Sequence, residues 1–335
     1  MKILYLCNKK TYTRKMSRVR FHGIDAIGRH PDVEVYITGP GWEGFPGCEN
    51  VDELYKLDLV IWYKPLDMPN HNKVKTPKCL RFNEMWDPDW TKKEIVQSNS
   101  KLVICHHFND IERYRGKIDP KFKLVHNPHC AEKSIFKDYG QKKNMDVLLV
   151  GVRSKRFYPL RRKIYSGVLD ILRAKGYRAT NYKHPGYKLE GLDAINRQVV
   201  DYAKAINRAK IVVTCSSVYE YALAKYVEIP MCRSVLCGDI PGENQEWYKR
   251  WMLPISNNIS AEDIANKIIA VLKNPEHLNN LKRKGYEENL KNRTQEDYAR
   301  RFVDIATDFL NGGMADYDFR KDSVKYLNGG SGVQN

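Results

Sequence analysis

The sequence predicts an α/β protein made of two doubly wound domains in series, and three observations lead to it. The length of 335 residues exceeds what one core usually organises and suits two domains. Short apolar runs rich in β-branched residues alternate with longer polar segments, the rhythm of a parallel sheet covered by helices. That rhythm pauses around Asn127-Pro128 and through the polar run 137–144, and then starts a second time.

The first copy opens with Ile3-Leu4-Tyr5-Leu6-Cys7, a strand too short for a membrane span or a signal-peptide core. A basic loop follows, then a helical stretch near 19–28 and a strand over 33–37. Further strands are predicted over 57–62, 78–82, 102–106 and 122–126. The second copy begins with a strand at 146–151, followed by a helix over 159–175, a strand over 177–181 and a helix over 196–208. A strand at 210–214, a short helix at 220–227 and a strand at 234–237 come next, then a helix at 261–273 that Asn274-Pro275 ends. Tyr298, Phe302, Ile305, Ala306 and Phe309 recur at helical spacing and predict a docked amphipathic helix over 295–310. The domains expected are therefore 1–138, 139–294, and a C-terminal 295–335 whose helix packs back toward the N-terminal domain before a flexible, Gly-rich tail.

Composition narrows the class. With 42% hydrophobic and 29% charged residues the chain is neither disordered nor fibrous, so it reads as globular. The eight cysteines form no close CxxC pair, and several sit in strand-like runs such as Leu102-Val103-Ile104-Cys105, which predicts buried free thiols in a reducing cytoplasm. The net charge of +17 concentrates anions, be they nucleotide, nucleic acid, phospholipid or phosphorylated glycan.

In open parallel sheets ligands bind beyond the carboxyl ends of the strands, which selects the loops to inspect. The loop after the first strand carries Lys9, Lys10, Arg14, Lys15, Arg18 and Arg20 without an acid. Its counterpart after Gly151 carries Arg153, Lys155, Arg156, Arg161, Arg162 and Lys163, again without an acid. One such run is as easily a solvated surface; two at equivalent topological positions suit a cleft that meets a diphosphate leaving group. Asp87-Pro88-Asp89 is the nearest approach to an acidic metal cluster, so a site free of metal and cofactor is expected, with Arg153 and Lys155 supplying the charge. The stretch Thr214 to Glu220, followed after seven residues by Glu228, is the second constellation. Ser216 or Ser217 is expected to cap the 220–227 helix toward the diphosphate, and Glu228 to accept from two ribose hydroxyls. His106 and His107 follow a strand and suit sugar or acceptor positioning as well as they suit packing. Glu84 and Asp87, after another strand, are candidate acceptor bases, and Trp86 and Trp90 candidate stacking surfaces.

The segment Ser216-Ser217-Val218-Tyr219-Glu220 … Glu228-Ile229-Pro230-Met231-Cys232-Arg233-Ser234-Val235-Leu236 resembles the E-x7-E segment of retaining GT-B glycosyltransferases of the family 4 type. Val150-Gly151 with Arg153 and Lys155 is similar to that family's diphosphate segment, and His126-Asn127-Pro128-His129 falls where an interdomain Asn-Gly turn is usual. The stretch 264–281, with Asn274-Pro275-Glu276, is similar to its C-terminal helices. The resemblance implies two Rossmann-like domains facing each other across a cleft. It implies donor binding by Gly151, Arg153, Lys155, Ser216, Ser217, Tyr219, Glu220 and Glu228, and catalysis involving Glu220, Arg153 and Lys155, with His106 and Glu84 as further catalytic candidates. Two departures stand out: Arg233 replaces a usual Gly, and Lys9 to Arg14 replace a Gly-rich acceptor loop. The second points to an anionic acceptor met by Lys10, Arg14, Arg18, Asp87 and His107.

The expected function is a metal-free, cytoplasmic transfer from a nucleotide-diphosphate sugar to an anionic acceptor, either nucleic acid with hydroxylated bases or a phosphorylated or acidic glycan, with peripheral membrane contact open. A nucleotide-sugar 2-epimerase and a non-catalytic nucleic-acid-binding protein on the same scaffold are the competing readings.

Overall fold

Two compact units divide the chain: one takes in Met1–Pro128, Lys188–Ile195 and Gln295–Asn335, the other His129–Tyr187 and Asn196–Thr294. The structure is a computed structural model and describes residues 1–13, 18–183 and 191–313, with the backbone alone over 18–20.

The strands of the first unit are β1 (Lys2–Leu6), β2 (Glu34–Thr38), β3 (Leu59–Trp62), β4 (Lys78–Phe82), β5 (Leu102–Cys105) and β6 (Lys123–His126). They form one six-stranded sheet in the order β2-β1-β3-β4-β5-β6, parallel throughout, with Leu4 in register between Tyr36 and Val60. β3, β4 and β5 are buried along their whole length; β3 and β5 accordingly read in sequence as unbroken apolar runs, while β4 buries Lys78 and Arg81 among its apolar residues. The helices are α1 (Lys9–Tyr12), α2 (Arg18–Gly28), α3 (Val51–Tyr55), α4 (Pro88–Ser98) and α5 (Phe108–Tyr114). α4 starts where the Asp87 carboxylate accepts from the Trp90 amide at 3.1 Å and Pro88 fills the first turn, so Asp87 serves as a helix cap.

The second unit has β7 (Met145–Leu149), β8 (Ala179–Asn181), β9 (Ala209–Val213), β10 (Val235–Gly238) and β11 (Leu253–Pro254), also all parallel, in the order β11-β10-β9-β7-β8. Its helices are α6 (Pro159–Lys163), α7 (Leu169–Ala174), α8 (Leu192–Asn207, of which 192–195 count with the first unit), α9 (Lys225–Met231), α10 (Gln245–Lys249), α11 (Ala261–Leu272) and α12 (Pro275–Asn292). The single helix predicted over 159–175 widens at Ile164–Val168 into a π turn that joins α6 to α7. Ser260 and Asn274 cap α11 and α12 through bonds of 3.0 Å from the amides of Asp263 and His277.

One predicted element is wrong. No helix covers 220–227: the chain turns through 217–220 and becomes helical only at Lys225. Ser217 and Glu220 have φ of +74° and +56°, and the Glu220 carbonyl accepts from the Gly242 amide, so the backbone groups a helix needs there are committed elsewhere. Ser216 and Ser217 therefore cap no helix, and Glu228 lies in the first turn of α9 where the sequence suggested a helix end.

The last helix, α13 (Gln295–Leu310), belongs to the first unit and buries Tyr298, Phe302, Ile305 and Ala306. Gly23 of α2 lets it approach: a Cβ on Gly23 would lie 2.7 Å from Tyr298 Cε1. Asn127, just after β6, holds the first two turns of this helix, donating to the Tyr298 carbonyl at 3.2 Å and accepting from Arg301 Nε at 3.0 Å. Tyr298 Oη in turn accepts from Arg81 Nε on β4 at 3.0 Å.

Candidate functional site

Strand order fixes where each unit can take a ligand. In the second unit the chain leaves β7 toward β8 on one side and β9 toward β10 on the other, so the sheet's connections reverse between β7 and β9. Beyond the carboxyl ends of such a pair the loops part and leave a crevice. The same reversal lies between β1 and β3 in the first unit.

Arg161 occupies the β7/β9 position. It is 2% exposed, and its guanidinium donates to the Val152 carbonyl at 3.3 Å and to the Cys215 carbonyl at 2.8 Å, one from each loop. The guanidinium lies 4.1 Å from the centre of the Tyr158 ring. Its Nε has no hydrogen-bond partner, and among the described residues no carboxylate pairs with it. Gly151 makes room for it: φ there is +97°, and a Cβ would fall 2.7 Å from Arg161 Nη1. In the sequence Arg161 is one basic residue among several, and only the fold distinguishes it as the buried one. Arg153 lies with its guanidinium 3.8 Å from the centre of the Tyr165 ring, in the π turn, and Lys155 is exposed.

The loop after β9 is held by an acid that the sequence reading passed over. Asp239, which follows β10, accepts from the Ser216 amide at 2.8 Å, from Ser216 Oγ at 2.7 Å and from Tyr226 Oη at 2.9 Å. Its place just beyond a strand's carboxyl end was the available signal. Ser217 Oγ accepts from the Tyr219 amide at 3.2 Å, and the Val218 amide donates to the Phe157 carbonyl at 3.0 Å, tying this loop to the one after β7. Tyr219 stacks on Tyr221 with centroids 5.3 Å apart, and Glu220 is exposed.

Glu228 is 3% exposed, and its Oε2 has no hydrogen-bond partner. Burial pushes its carboxyl above the usual range, and Lys225 only partly opposes this. The Tyr202 hydroxyl on α8 is likewise buried without a partner and feels the charges of both Glu228 and Arg161. Thr214 Oγ1, directly after β9, is a third unsatisfied buried group. Buried polar atoms are nearly always bonded in folded proteins, so an acid, a base and two hydroxyls left over in one region mark a surface that something polar completes.

In the first unit the predicted residues are spread out. Lys10 is exposed in α1; Arg14 lies outside the described residues, and Arg18 is described by its backbone alone. His106 is 2% exposed with Nδ1 2.8 Å from the Asn127 carbonyl, and His107 is fully buried at the start of α5. Burial holds both imidazoles well below their usual value, with Arg81 adding to the effect on His106 and His126 to that on His107. Glu84 is half-buried in a loop whose next residue is pinned: the Met85 amide donates to Asp110 at 2.8 Å, and Tyr114 Oη donates to the Met85 carbonyl at 2.8 Å. Trp86 and Trp90 are 43% and 39% exposed. Among the described residues no three His, Cys, Asp or Glu side chains gather as a metal site, all eight cysteines are free and buried, and no helix is long and apolar enough to cross a membrane.

No family model matches the chain, and no curated protein matches it in sequence. Solved structures do match. Sucrose-phosphate synthase from Thermosynechococcus elongatus is 12% identical over 93% of this chain and 100% of that one, with a TM-score of 0.61. A glycosyltransferase from Rickettsia africae is 12% identical over 92% of this chain and 98% of its own, with a TM-score of 0.59. HepE from Anabaena, solved in complex with UDP, is 10% identical over 92% and 100%, with a TM-score of 0.58. At such identities the likeness is one of fold: the chain has the two-domain, parallel-sheet α/β architecture of the GT-B glycosyltransferases.

Proposed function

We propose that the chain transfers a sugar from a nucleotide-diphosphate donor, bound by the second unit at the β7/β9 crevice, to an acceptor hydroxyl. The observation that carries this reading is that Glu228 and Arg161, buried groups of opposite charge, each keep a polar atom without a hydrogen-bond partner and both act on the buried Tyr202 hydroxyl. A nucleoside diphosphate supplies what each lacks. Two ribose hydroxyls donate to the Glu228 carboxylate, and diphosphate oxygens face Arg161, with Arg153 and Lys155 nearer solvent and Gly151, Ser216, Ser217 and Tyr219 lining the approach. HepE, a neighbour of the same fold, holds UDP.

In the reaction the bond from the sugar's anomeric carbon to the diphosphate breaks and its electron pair stays on the phosphate oxygen. Arg161, Arg153 and Lys155 stabilise that growing charge without a metal ion. The acceptor oxygen bonds to the anomeric carbon, and its proton passes to the departing phosphate, a course that fits retention; Glu220 stands beside the donor sugar. Glu84 and His106 are assigned to the acceptor side. The exposed Lys10, with Arg14 and Arg18, favours an acceptor bearing negative charge, either nucleic acid or an acidic or phosphorylated glycan.

Thermal-shift measurements with a panel of nucleoside diphosphates and their sugars test the donor reading, since a ligand that binds the native state raises its melting temperature by mass action. At least one should stabilise the wild type and fail to stabilise Glu228→Gln. Stabilisation by none of them would sink the proposal, and acceptor-free conversion of a donor into its epimer would replace transfer by epimerisation.

A further inference from the structure

At the other end of the second sheet, where β7, β9 and β10 begin, lies a cluster that the donor site does not use. Lys143 precedes β7, and its Nζ donates to Ser234 Oγ at 3.0 Å and to the Cys232 carbonyl at 3.5 Å. Between those two residues stands Arg233, whose guanidinium carbon is 3.9 Å from the centre of the Tyr286 ring. Lys282 precedes Tyr286 by one helical turn on α12, so both project from the same face. The three cations thus meet around one turn of chain: Lys143 feels the repulsion of Lys282 and Arg233, and Lys282 that of Arg233.

Their compensation is incomplete. Asp138 is the acid that acts on all three, and it is shared with the Gly140 amide at 2.9 Å and the Asn207 side chain at 3.3 Å. Lys210, also nearby, is already paired with Asp146 at 2.8 Å. Lys282 has no hydrogen bond or ion pair among the described residues, and Arg233 Nε is buried without a partner. Cations do suit the negative end of a helix such as α9, which accounts for Lys143 on the Cys232 carbonyl but not for Arg233 or Lys282. The backbone sharpens the point. Arg233 follows the end of α9 with φ of +54°, a left-handed position that glycine fills without strain and arginine does not.

We propose that Lys143, Arg233 and Lys282 form a second anion site, for a phosphate group, at the amino ends of the strands of the second unit. A phosphate dianion would take charge-assisted hydrogen bonds from two ammonium groups and from the guanidinium packed on Tyr286. Burial, with Lys282 beside it, holds Lys143 down to about 7, so filling the site draws a proton onto Lys143.

The test uses the whole protein with inorganic phosphate as probe, read by thermal shift and calorimetry on wild type, Arg233→Gly, Lys282→Ala and Arg161→Lys. Arg233→Gly relieves the left-handed strain, so it should melt no lower than wild type in phosphate-free buffer. Phosphate should stabilise the wild type and Arg161→Lys alike, and Arg233→Gly and Lys282→Ala should bind it at least about tenfold more weakly. Calorimetry of the wild type in buffers of different ionisation enthalpy should show proton uptake. Repeating the titration with glucose 6-phosphate identifies the source: tighter binding assigns the phosphate to an organic ester, equal or weaker binding to the free ion. A wild type indifferent to both probes overturns the proposal. So does a response lost in Arg161→Lys and kept in Arg233→Gly, which would place the anion in the β7/β9 crevice.

Discussion

Glu228→Gln separates binding from stability at one carboxylate. The substitution keeps the volume and removes the charge. If the carboxylate accepts from ribose hydroxyls, losing those charge-assisted bonds weakens donor binding by about 1.5–3 kcal/mol, roughly a 10- to 150-fold rise in Kd. Stability should move the other way, because an ionised group 3% exposed with an unpartnered oxygen destabilises the ligand-free protein. The sign with pH follows from the raised folded value. The folded protein holds this proton more tightly than the unfolded chain, so the stabilisation is fully present below the unfolded value and is lost as pH rises through the folded one. The Gln variant should lack that loss and be the more stable protein at neutral pH. Donor affinity of the wild type should instead increase through the same interval, since ribose hydroxyls bond the ionised form. Calorimetric titration with donor and urea unfolding from acid to neutral pH check both limbs. An unchanged Kd in folded Glu228→Gln would remove the carboxylate from donor recognition, and a variant less stable at every pH would refute the account of its burial.

Arg161→Lys keeps the charge but cannot bridge the Val152 and Cys215 carbonyls, so it should lose about 1–3 kcal/mol of stability in urea and raise the donor KM. A variant with wild-type stability would show that the bridge is dispensable. Arg153→Ala and Lys155→Ala should lower kcat more than they raise KM if these residues meet charge that develops at the diphosphate, whereas an effect on KM alone would make them docking residues. Gly23→Ala places a Cβ 2.7 Å from Tyr298 Cε1 and should destabilise by about 1–3 kcal/mol; a neutral result in urea unfolding would mean that α13 shifts freely. Lys10→Glu combined with Arg14→Glu should weaken binding of an anionic acceptor and spare donor hydrolysis. On duplex DNA the salt dependence should follow a log-log slope near −0.9 per phosphate contact, and equal transfer to a neutral glycan at all salt concentrations would sink the anionic acceptor.

The strands were the most legible part of the fold, because a parallel sheet buried on both faces turns strands such as β5, Leu102-Val103-Ile104-Cys105, into short apolar words; the strand over 78–82 coincides with β4 to the residue even though it holds Lys78 and Arg81. Caps were less legible: Ser216 and Ser217 cap nothing, whereas Ser260 starts α11 and Asn274, read only as the end of the helix over 261–273, also starts α12. Tyr221-Ala222-Leu223-Ala224 misled because its composition suits a helix, while long-range bonds such as Gly242 amide to Glu220 carbonyl decide the backbone. The candidate site shows the same division. Glu228 stood out as a candidate by type and spacing, but the burial of Arg161 and the partners of Asp239 come from strand order, which sets Arg161 beside Cys215 and Asp239 beside Ser216, 54 and 23 positions apart in sequence.

The seating of α13 has a consequence for how the chain is made. Every residue of the second unit precedes Gln295, so that unit is complete on the ribosome before the helix that finishes the first unit has emerged. Until then Gly23, Asn127 and Arg81 face the nascent chain without Tyr298, and the apolar face of α2 lacks its cover. The domain synthesised first is thus the last to close, and the interval leaves an exposed surface that a chaperone can hold and that truncation before α13 would make permanent.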